Sequence, residues 1–317
     1  MRVLLVARDP SPVLPMLRET WPNVEWVNVP VNNGTFEPDL ARIEVAYLWD
    51  YRSKLLQDLW PSLPDLRWVH VAAAGVDAFL FPELRGSDVV LTNSRGAFDE
   101  SVAEFGLALI LMFAKRLNET MINQQNQRWQ HVETQLLSGR TVAVVGFGAI
   151  GHLVGRKCRA LGMGVLGVRR SGQGHPDADE MFSMQDLPTV LTRADYVVLV
   201  LPQTDETRLV IGTRELQMMR PDAVLINIGR GSALDEMALA SALETRIIRG
   251  AGLDVFQREP LVPDHPLWAQ SNVVITPHMA SDADDWRRRL VQVFSDNLSR
   301  YQSGEPVSNQ INKLRGY

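Results

Sequence analysis

Short β-branched or aromatic runs alternate along this chain with stretches whose apolar positions recur at helical spacing. In the first hundred residues the runs at 3–7, 45–49, 68–72 and 89–92 predict strands, each bounded by Pro, Asn, Asp or Gly. Residues 12–20 and 53–60 predict helices between them. Alternation of this kind implies a parallel sheet with helices on both faces. Residues 101–129, SVAEFGLALILMFAKRLNETMINQQNQRW, contain no Pro and predict one long helix, apolar and buried in its first half and polar in its second. A second alternating series follows, with strands predicted at 142–145, 165–168, 196–201, 223–228, 248–253 and 273–276. Six is the number in a complete doubly wound dinucleotide-binding sheet. Residues 285–302 predict a last helix that crosses back onto the first series.

At 317 residues the chain exceeds what one hydrophobic core usually fills, so the two series read as two domains. A net charge of −5 with no dense Lys/Arg block argues against nucleic acid or an acidic membrane surface as partner. Cys158 is the only cysteine, which excludes an intramolecular disulfide and fits a reducing compartment. The N-terminus, MRVLLVARDPSP, lacks the length and cleavage site of a secretory signal, and the apolar stretch 105–114 is too short to span a bilayer. A cytoplasmic protein is expected.

Candidate chemistry begins at residues 141–151, TVAVVGFGAIG, a buried strand running into Gly146-x-Gly148-x-x-Gly151 and then a helix. Gly146 permits the tight turn, Gly148 removes the Cβ that would hold the backbone away from a pyrophosphate, and Gly151 lets helix and strand pack closely. The helix start, at Ala149 and Ile150, offers N–H groups and a positive dipole to phosphates. An NAD site commonly carries Asp or Glu at the end of the next strand. Here GVLGV is followed by Arg169, Arg170 and Ser171, and guanidinium suits the 2′-phosphate of NADP(H), with NAD(H) still possible.

Three further segments fall at predicted C-terminal strand ends. LINIGRG carries Arg230, GAGLDVFQREP carries Asp254 and Glu259, and VVITPHMAS carries His278. Reduction of a 2-oxo acid needs a fixed cation for the carboxylate, a proton donor for the carbonyl oxygen, and a carboxylate to orient that donor. Arg230, His278 and Glu259 could fill these roles in that order. His70, His131, His152, His175 and His265 show no metal-ligand spacing with one another or with Cys158, hydride transfer needs no metal, and none is expected.

The ordered set GxGxxG, LPQTDET, NIGRG, LDVFQREPL and ITPHMAS resembles the D-isomer-specific 2-hydroxyacid dehydrogenase family over nearly the whole chain. Within it the REPL..D.PLW stretch, the Arg-rich strand end and the terminal RGY are similar to the short NADPH-linked glyoxylate/hydroxypyruvate reductases of bacteria. The resemblance implies Arg230, Glu259 and His278 as the catalytic set, with Asp254 bonding the nicotinamide carboxamide. It implies Leu201, Pro202, Thr207, Ile228 and Gly229 beside the cofactor. The loop Ala73-Ala74-Gly75, continuing to Val76-Asp77, would bind the substrate carboxylate together with Arg230 and His278. The implied fold is two doubly wound parallel-sheet domains, a Rossmann cofactor domain (99–282) inserted in a flavodoxin-like substrate domain (1–98 and 283–317). A homodimer is implied, with the long helix after residue 101 at its interface.

Two departures bear on the pocket. Ala72-Ala73-Ala74 replaces a commoner Gly-rich loop, and Trp49 and Trp286 either border the substrate side chain or pack as ordinary core. Alternatives to a reductase of glyoxylate and hydroxypyruvate are a dehydrogenase for larger 2-oxo acids such as phenylpyruvate, or a non-enzymatic dinucleotide-sensing protein like the corepressors of this fold.

Overall fold

A computed structural model of the chain describes residues 1–29, 39–50, 54–76 and 79–314. Asp77, Ser53 and the terminal RGY (315–317) lie outside the described residues. The chain divides into two compact units, Met1–Phe98 with Ala283–Tyr317, and Asp99–Asp282.

The first unit contains β1 (Arg2–Val6), α1 (Leu14–Thr20), β2 (Glu25–Val29), β3 (Ile43–Leu48), α2 (Leu55–Leu59), β4 (Trp68–Val71), α3 (Pro82–Gly86) and β5 (Val90–Asn93). These strands form a parallel sheet in the order β2-β1-β3-β4-β5, the flavodoxin-like winding. The central strands β1, β3 and β4 are almost entirely buried, as a sheet covered on both faces requires. The edge strand β2, EWVNV, is half-exposed, and its mixture of polar and apolar residues left it without a strand signal in the sequence.

The second unit begins with α4 (Asp99–Ala114) and α5 (Leu117–Gln125), followed by β6 (Thr141–Val145), α6 (Ala149–Ala160), β7 (Gly164–Val168), β8 (Glu180–Phe182) and α7 (Leu187–Arg193). It continues with β9 (Tyr196–Leu199), α8 (Thr213–Met218), β10 (Val224–Asn227), α9 (Glu236–Glu244), β11 (Gly250–Leu253) and β12 (Val273–Ile275). Its parallel sheet has seven strands in the order β12-β11-β10-β9-β6-β7-β8, and the winding reverses between β6 and β9. Seven replaces the six expected because β8, only three residues long, extends the edge. Valine, leucine and isoleucine fill the interior of this sheet. Gly250 and Gly252 on β11 leave room for Phe113 and Leu109 of α4.

The single long helix expected from 101 to 129 does not form. Arg116 takes a left-handed conformation (φ 51°) between α4 and α5, and its Nε donates to Glu119 at 2.8 Å. Gln127, also left-handed at φ 54°, closes the end of α5. Neither break falls at a Pro or Gly, so helix propensity alone could not reveal it. Beyond it Trp129 stands fully exposed.

The chain returns to the first unit in α10 (Trp286–Gln302), which buries Leu290, Val291, Phe294 and Leu298 along one face. Phe294 stacks on Tyr47 at 4.1 Å and on Trp68 at 5.5 Å between ring centroids. That places α10 against the sheet of the first unit, as the crossing-back pattern predicts. No helix among the described residues is long and apolar enough to cross a membrane.

Candidate active site

Gly146 sits at φ +103°, and a Cβ there would run into the carbonyl of Val200. A Cβ on Gly151 would strike the carbonyl of Gly146, so these two positions are dictated by the chain packing on itself. Gly148 faces open space, with nothing within 4 Å of its would-be Cβ. Helix α6 starts at Ala149 with no side chain capping it. Its first-turn N–H groups, those of Ala149 and Ile150 among them, have no acceptor within the helix. A tight turn, an open cradle and a helix N-terminus at the point where strand order reverses together fit a dinucleotide pyrophosphate.

At the end of β7 the two arginines do different things. Arg169 folds onto its own loop, its Nε and Nη2 donating to the carbonyl of Gln173 at 3.0 and 2.6 Å and its Nη2 to that of Gly174 at 3.0 Å. Arg170 is more than half exposed and pairs with Glu206 at 2.9 Å. The Ser171 hydroxyl accepts from the N–H of Gln173 at 3.3 Å. After β9, Leu201 is buried, and the Thr207 hydroxyl donates to the carbonyl of Pro202 at 2.6 Å, closing that loop.

The polar centre lies after β10, β11 and β12. Asp254, 1% exposed, accepts from the Thr276 hydroxyl at 2.6 Å and from the N–H groups of Met279 and Ala280 at 3.0 Å each. Its own carbonyl accepts from the N–H of His278 at 2.8 Å. These bonds hold His278 in a left-handed conformation (φ 55°) that a bulky residue adopts only under constraint. The His278 Nδ1 lies 2.8 Å from Glu259 Oε2, and Glu259 Oε1 accepts from the N–H of Phe256 at 3.1 Å. With Nδ1–H donating to the carboxylate, Nε2 is the ring nitrogen that this pairing does not use.

Arg230 follows β10 in a turn held by Asn227, whose Nδ2 donates to the Arg230 carbonyl at 3.0 Å and whose Oδ1 accepts from Gly229 N–H at 3.1 Å. Gly231 lies directly on the Phe256 backbone, where a Cβ would collide with the Phe256 carbonyl. The Arg230 turn is thereby packed against the segment that carries Glu259. Ile228 and Gly229 complete the turn, Gly229 against the backbone of Leu201. Sequence reasoning missed Asn227 and Thr276. The available signal was an Asn at a strand end, a residue type that bonds its own backbone two residues on.

In the first unit, Ala73, Ala74 and Gly75 form the loop after β4. The Ala73 carbonyl accepts from Ser94 N–H at 3.0 Å and the Ala74 carbonyl from Asn93 Nδ2 at 2.5 Å. Trp49 and Trp286, both only partly buried, stack on each other with ring centroids 5.5 Å apart. Cys158 is buried, and burial pushes its thiol up to about 12, so it stays protonated.

Spacing gave no sign of a metal group, yet folding brings three side chains of ligand type together. Ligand atoms of His152, His175 and Asp177 all lie within 4.8 Å of one another. Twenty-two residues separate the two histidines, so only tertiary structure could show it.

Residues 107–280 match the model of the D-isomer specific 2-hydroxyacid dehydrogenase NAD binding domain. A glyoxylate reductase of Korarchaeum cryptofilum is 34% identical over 267 residues, covering 81% of this chain and 79% of that protein. Glyoxylate/hydroxypyruvate reductase B of Pectobacterium carotovorum is 34% identical over 266 residues, covering 82% and 83%. Among solved structures, an NADPH-dependent glyoxylate/hydroxypyruvate reductase of Sinorhizobium meliloti, in complex with NADP and sulfate, superimposes with a TM-score of 0.88 at 28% identity, covering 100% of this chain and 99% of that one. A 2-hydroxyacid dehydrogenase of Xanthobacter autotrophicus in complex with NADPH and MES gives 0.88 at 30% identity, covering 99% of each chain. A glycine cradle at the switch point, a parallel sheet wound as described, and sequence similarity along four fifths of the chain have one explanation: this protein belongs to the D-isomer-specific 2-hydroxyacid dehydrogenase family, whose members are NAD(P)-dependent oxidoreductases.

Proposed function

We propose that the protein reduces small 2-oxo acids, glyoxylate and hydroxypyruvate, to D-2-hydroxy acids with NADPH. The observation that carries this reading is the 2.8 Å pair of His278 and Glu259 on a turn clamped by Asp254. NADPH supplies the hydride when bound. His278, oriented through Nδ1 by Glu259, gives an Nε2 proton to the carbonyl oxygen as that oxygen becomes an alkoxide. Arg230 binds the substrate carboxylate and polarises the carbonyl through its planar guanidinium. The family resemblance assigns the Ala73–Ala74–Gly75 loop of the first unit to the substrate carboxylate as well.

Ala149, Ile150 and the glycines hold the pyrophosphate, while Arg170 and Ser171 receive the 2′-phosphate on a loop that Arg169 shapes. Two things support the choice of NADPH: Arg-Arg-Ser in place of an Asp or Glu at positions 169–171, and the NADP or NADPH in the similar solved structures. Substrate size is supported by the names of the relatives. The enzyme works as a cytoplasmic homodimer.

Initial rates of NADPH and NADH oxidation against glyoxylate, hydroxypyruvate, pyruvate and phenylpyruvate test this. Fast NADPH use with the first two is expected. A preference for phenylpyruvate would move the substrate to a larger acid, and tight NADPH binding with no turnover on any of them would leave a dinucleotide-sensing protein.

A further inference from the structure

We propose that His152, His175 and Asp177 form a binding site for a divalent transition metal ion such as Zn2+, tying the first turn of α6 to the loop between β7 and β8. His152 Nδ1 lies 2.9 Å from Asp177 Oδ2, His175 Nδ1 lies 3.7 Å from the same oxygen, and the two imidazole rings are 5.1 Å apart. Imidazole nitrogen and carboxylate oxygen bind Zn2+ at about 2.0–2.2 Å. In tetrahedral geometry that sets the ligand atoms roughly 3.3 Å apart, within reach of small side-chain rotations from the present spacing. Two imidazoles select zinc, copper or nickel over magnesium or calcium, which take oxygen ligands. The three side chains are 29%, 25% and 23% exposed, leaving an entry path and a fourth position for water.

The surroundings hold the ligands in place. Gly155, three residues beyond His152, lets the loop lie on the helix, since a Cβ there would sit 3.1 Å from the Asp177 carbonyl. Arg159 fastens the loop further, donating to the Pro176 carbonyl at 2.8 Å and pairing with Asp179 at 3.0 Å. The His175 ring meets the edge of Phe147, inside the glycine motif, at 5.3 Å. His175 therefore touches the dinucleotide loop, and His152 follows Gly151 of that motif directly in the chain. An ion here braces that loop and takes no part in hydride transfer. On binding at His152 Nδ1, the ion replaces the contact with Asp177 Oδ2, and the neutral ring carries its one proton on Nε2. The ion also displaces the bond from Asp177 N–H to His175 Nδ1, now 3.2 Å.

Calorimetric titration of the chelator-stripped, full-length protein with Zn2+ tests the proposal, with Co2+ absorption to report tetrahedral coordination. One Zn2+ per chain, no comparable Mg2+ binding and a raised melting temperature are expected. Each of His152→Gln, His175→Gln and Asp177→Asn should weaken Zn2+ on the order of tenfold or more. No binding at free Zn2+ well above the micromolar range, or binding unchanged in all three variants, overturns the site and leaves a hydrogen-bonded clamp. Should a variant fail to fold, imidazole NMR of the unaltered chain decides. Two of the six histidines, those at 152 and 175, should shift with Zn2+, and a shift confined to others rejects the proposal.

Discussion

The two sheets of this protein are wound in the same parallel fashion yet keep their polar groups in different places. In the second unit the strand interiors are aliphatic, and the polar side chains collect where strands end, at Asn227, Asp254 and His278. The first unit carries polarity inside the sheet itself. His70 on β4 is fully buried, with Nδ1 2.8 Å from the Thr92 hydroxyl and Nε2 3.0 Å from that of Ser94. Ser94 gives its own proton to the Val71 carbonyl, so His70 Nε2–H donates to Ser94 and Nδ1 accepts from Thr92. Tyr47, Trp68 and Phe294 enclose the ring. One histidine is neutral and enclosed, and the other, His278, is one third exposed beside a carboxylate. Residue type alone does not separate them. Burial and partner do.

The comparison breaks most visibly at His278. The His278→Ala variant should lose about a hundred- to ten-thousandfold in kcat while NADPH affinity, followed by fluorescence, stays nearly constant. Unaltered turnover would mean that the proton comes from elsewhere.

A smaller loss is expected from Asp254→Asn, which puts an amide where three donors converge. Stability should fall by about 1–3 kcal/mol in urea unfolding, with kcat reduced as the His278 turn relaxes. A drop in kcat with stability intact would show instead that Asp254 acts on the cofactor.

The pair Arg169→Ala with Arg170→Ala sharpens the reading of the β7 end. NADPH should weaken by roughly tenfold or more and NADH by much less, consistent with the loss of charge-assisted bonds. Equal weakening would assign both arginines to loop structure alone.

An effect that shows only in acid belongs to His70. Burial holds its imidazole at about 3, against an ordinary value near 6.5. The unfolded chain therefore takes up a proton that the folded chain refuses as pH falls below about 6.5. The first unit loses stability through that window down to about 3 and none of it above 6.5. Urea midpoints followed by tryptophan fluorescence between pH 7 and 4 should fall less steeply in His70→Gln. An unchanged slope would place the acid-sensitive group elsewhere.

How much was legible follows the range of the forces involved. The strands at 142–145 and 165–168 were readable because burial on both faces demands unbroken apolar runs, and β2 and β8 were not, being edge strands with one side in water. Glu259 and His278 stood out as residue types at strand ends, but their 2.8 Å separation depends on β11 and β12 lying side by side.

The sequence by itself determined the two parallel-sheet domains, the dinucleotide turn and the family. These rest on local periodicity, on Gly146 and Gly151, where a Cβ would strike backbone, and on motifs kept in order along one chain. Only the tertiary structure decided that Arg116 breaks the long helix, that Asp254 clamps the His278 turn, that Trp49 stacks on Trp286, and that His152 meets His175 and Asp177. Each depends on atoms distant in sequence or on a backbone angle that neither Pro nor Gly announces. Propensity and spacing carry no information about such contacts until packing brings them together.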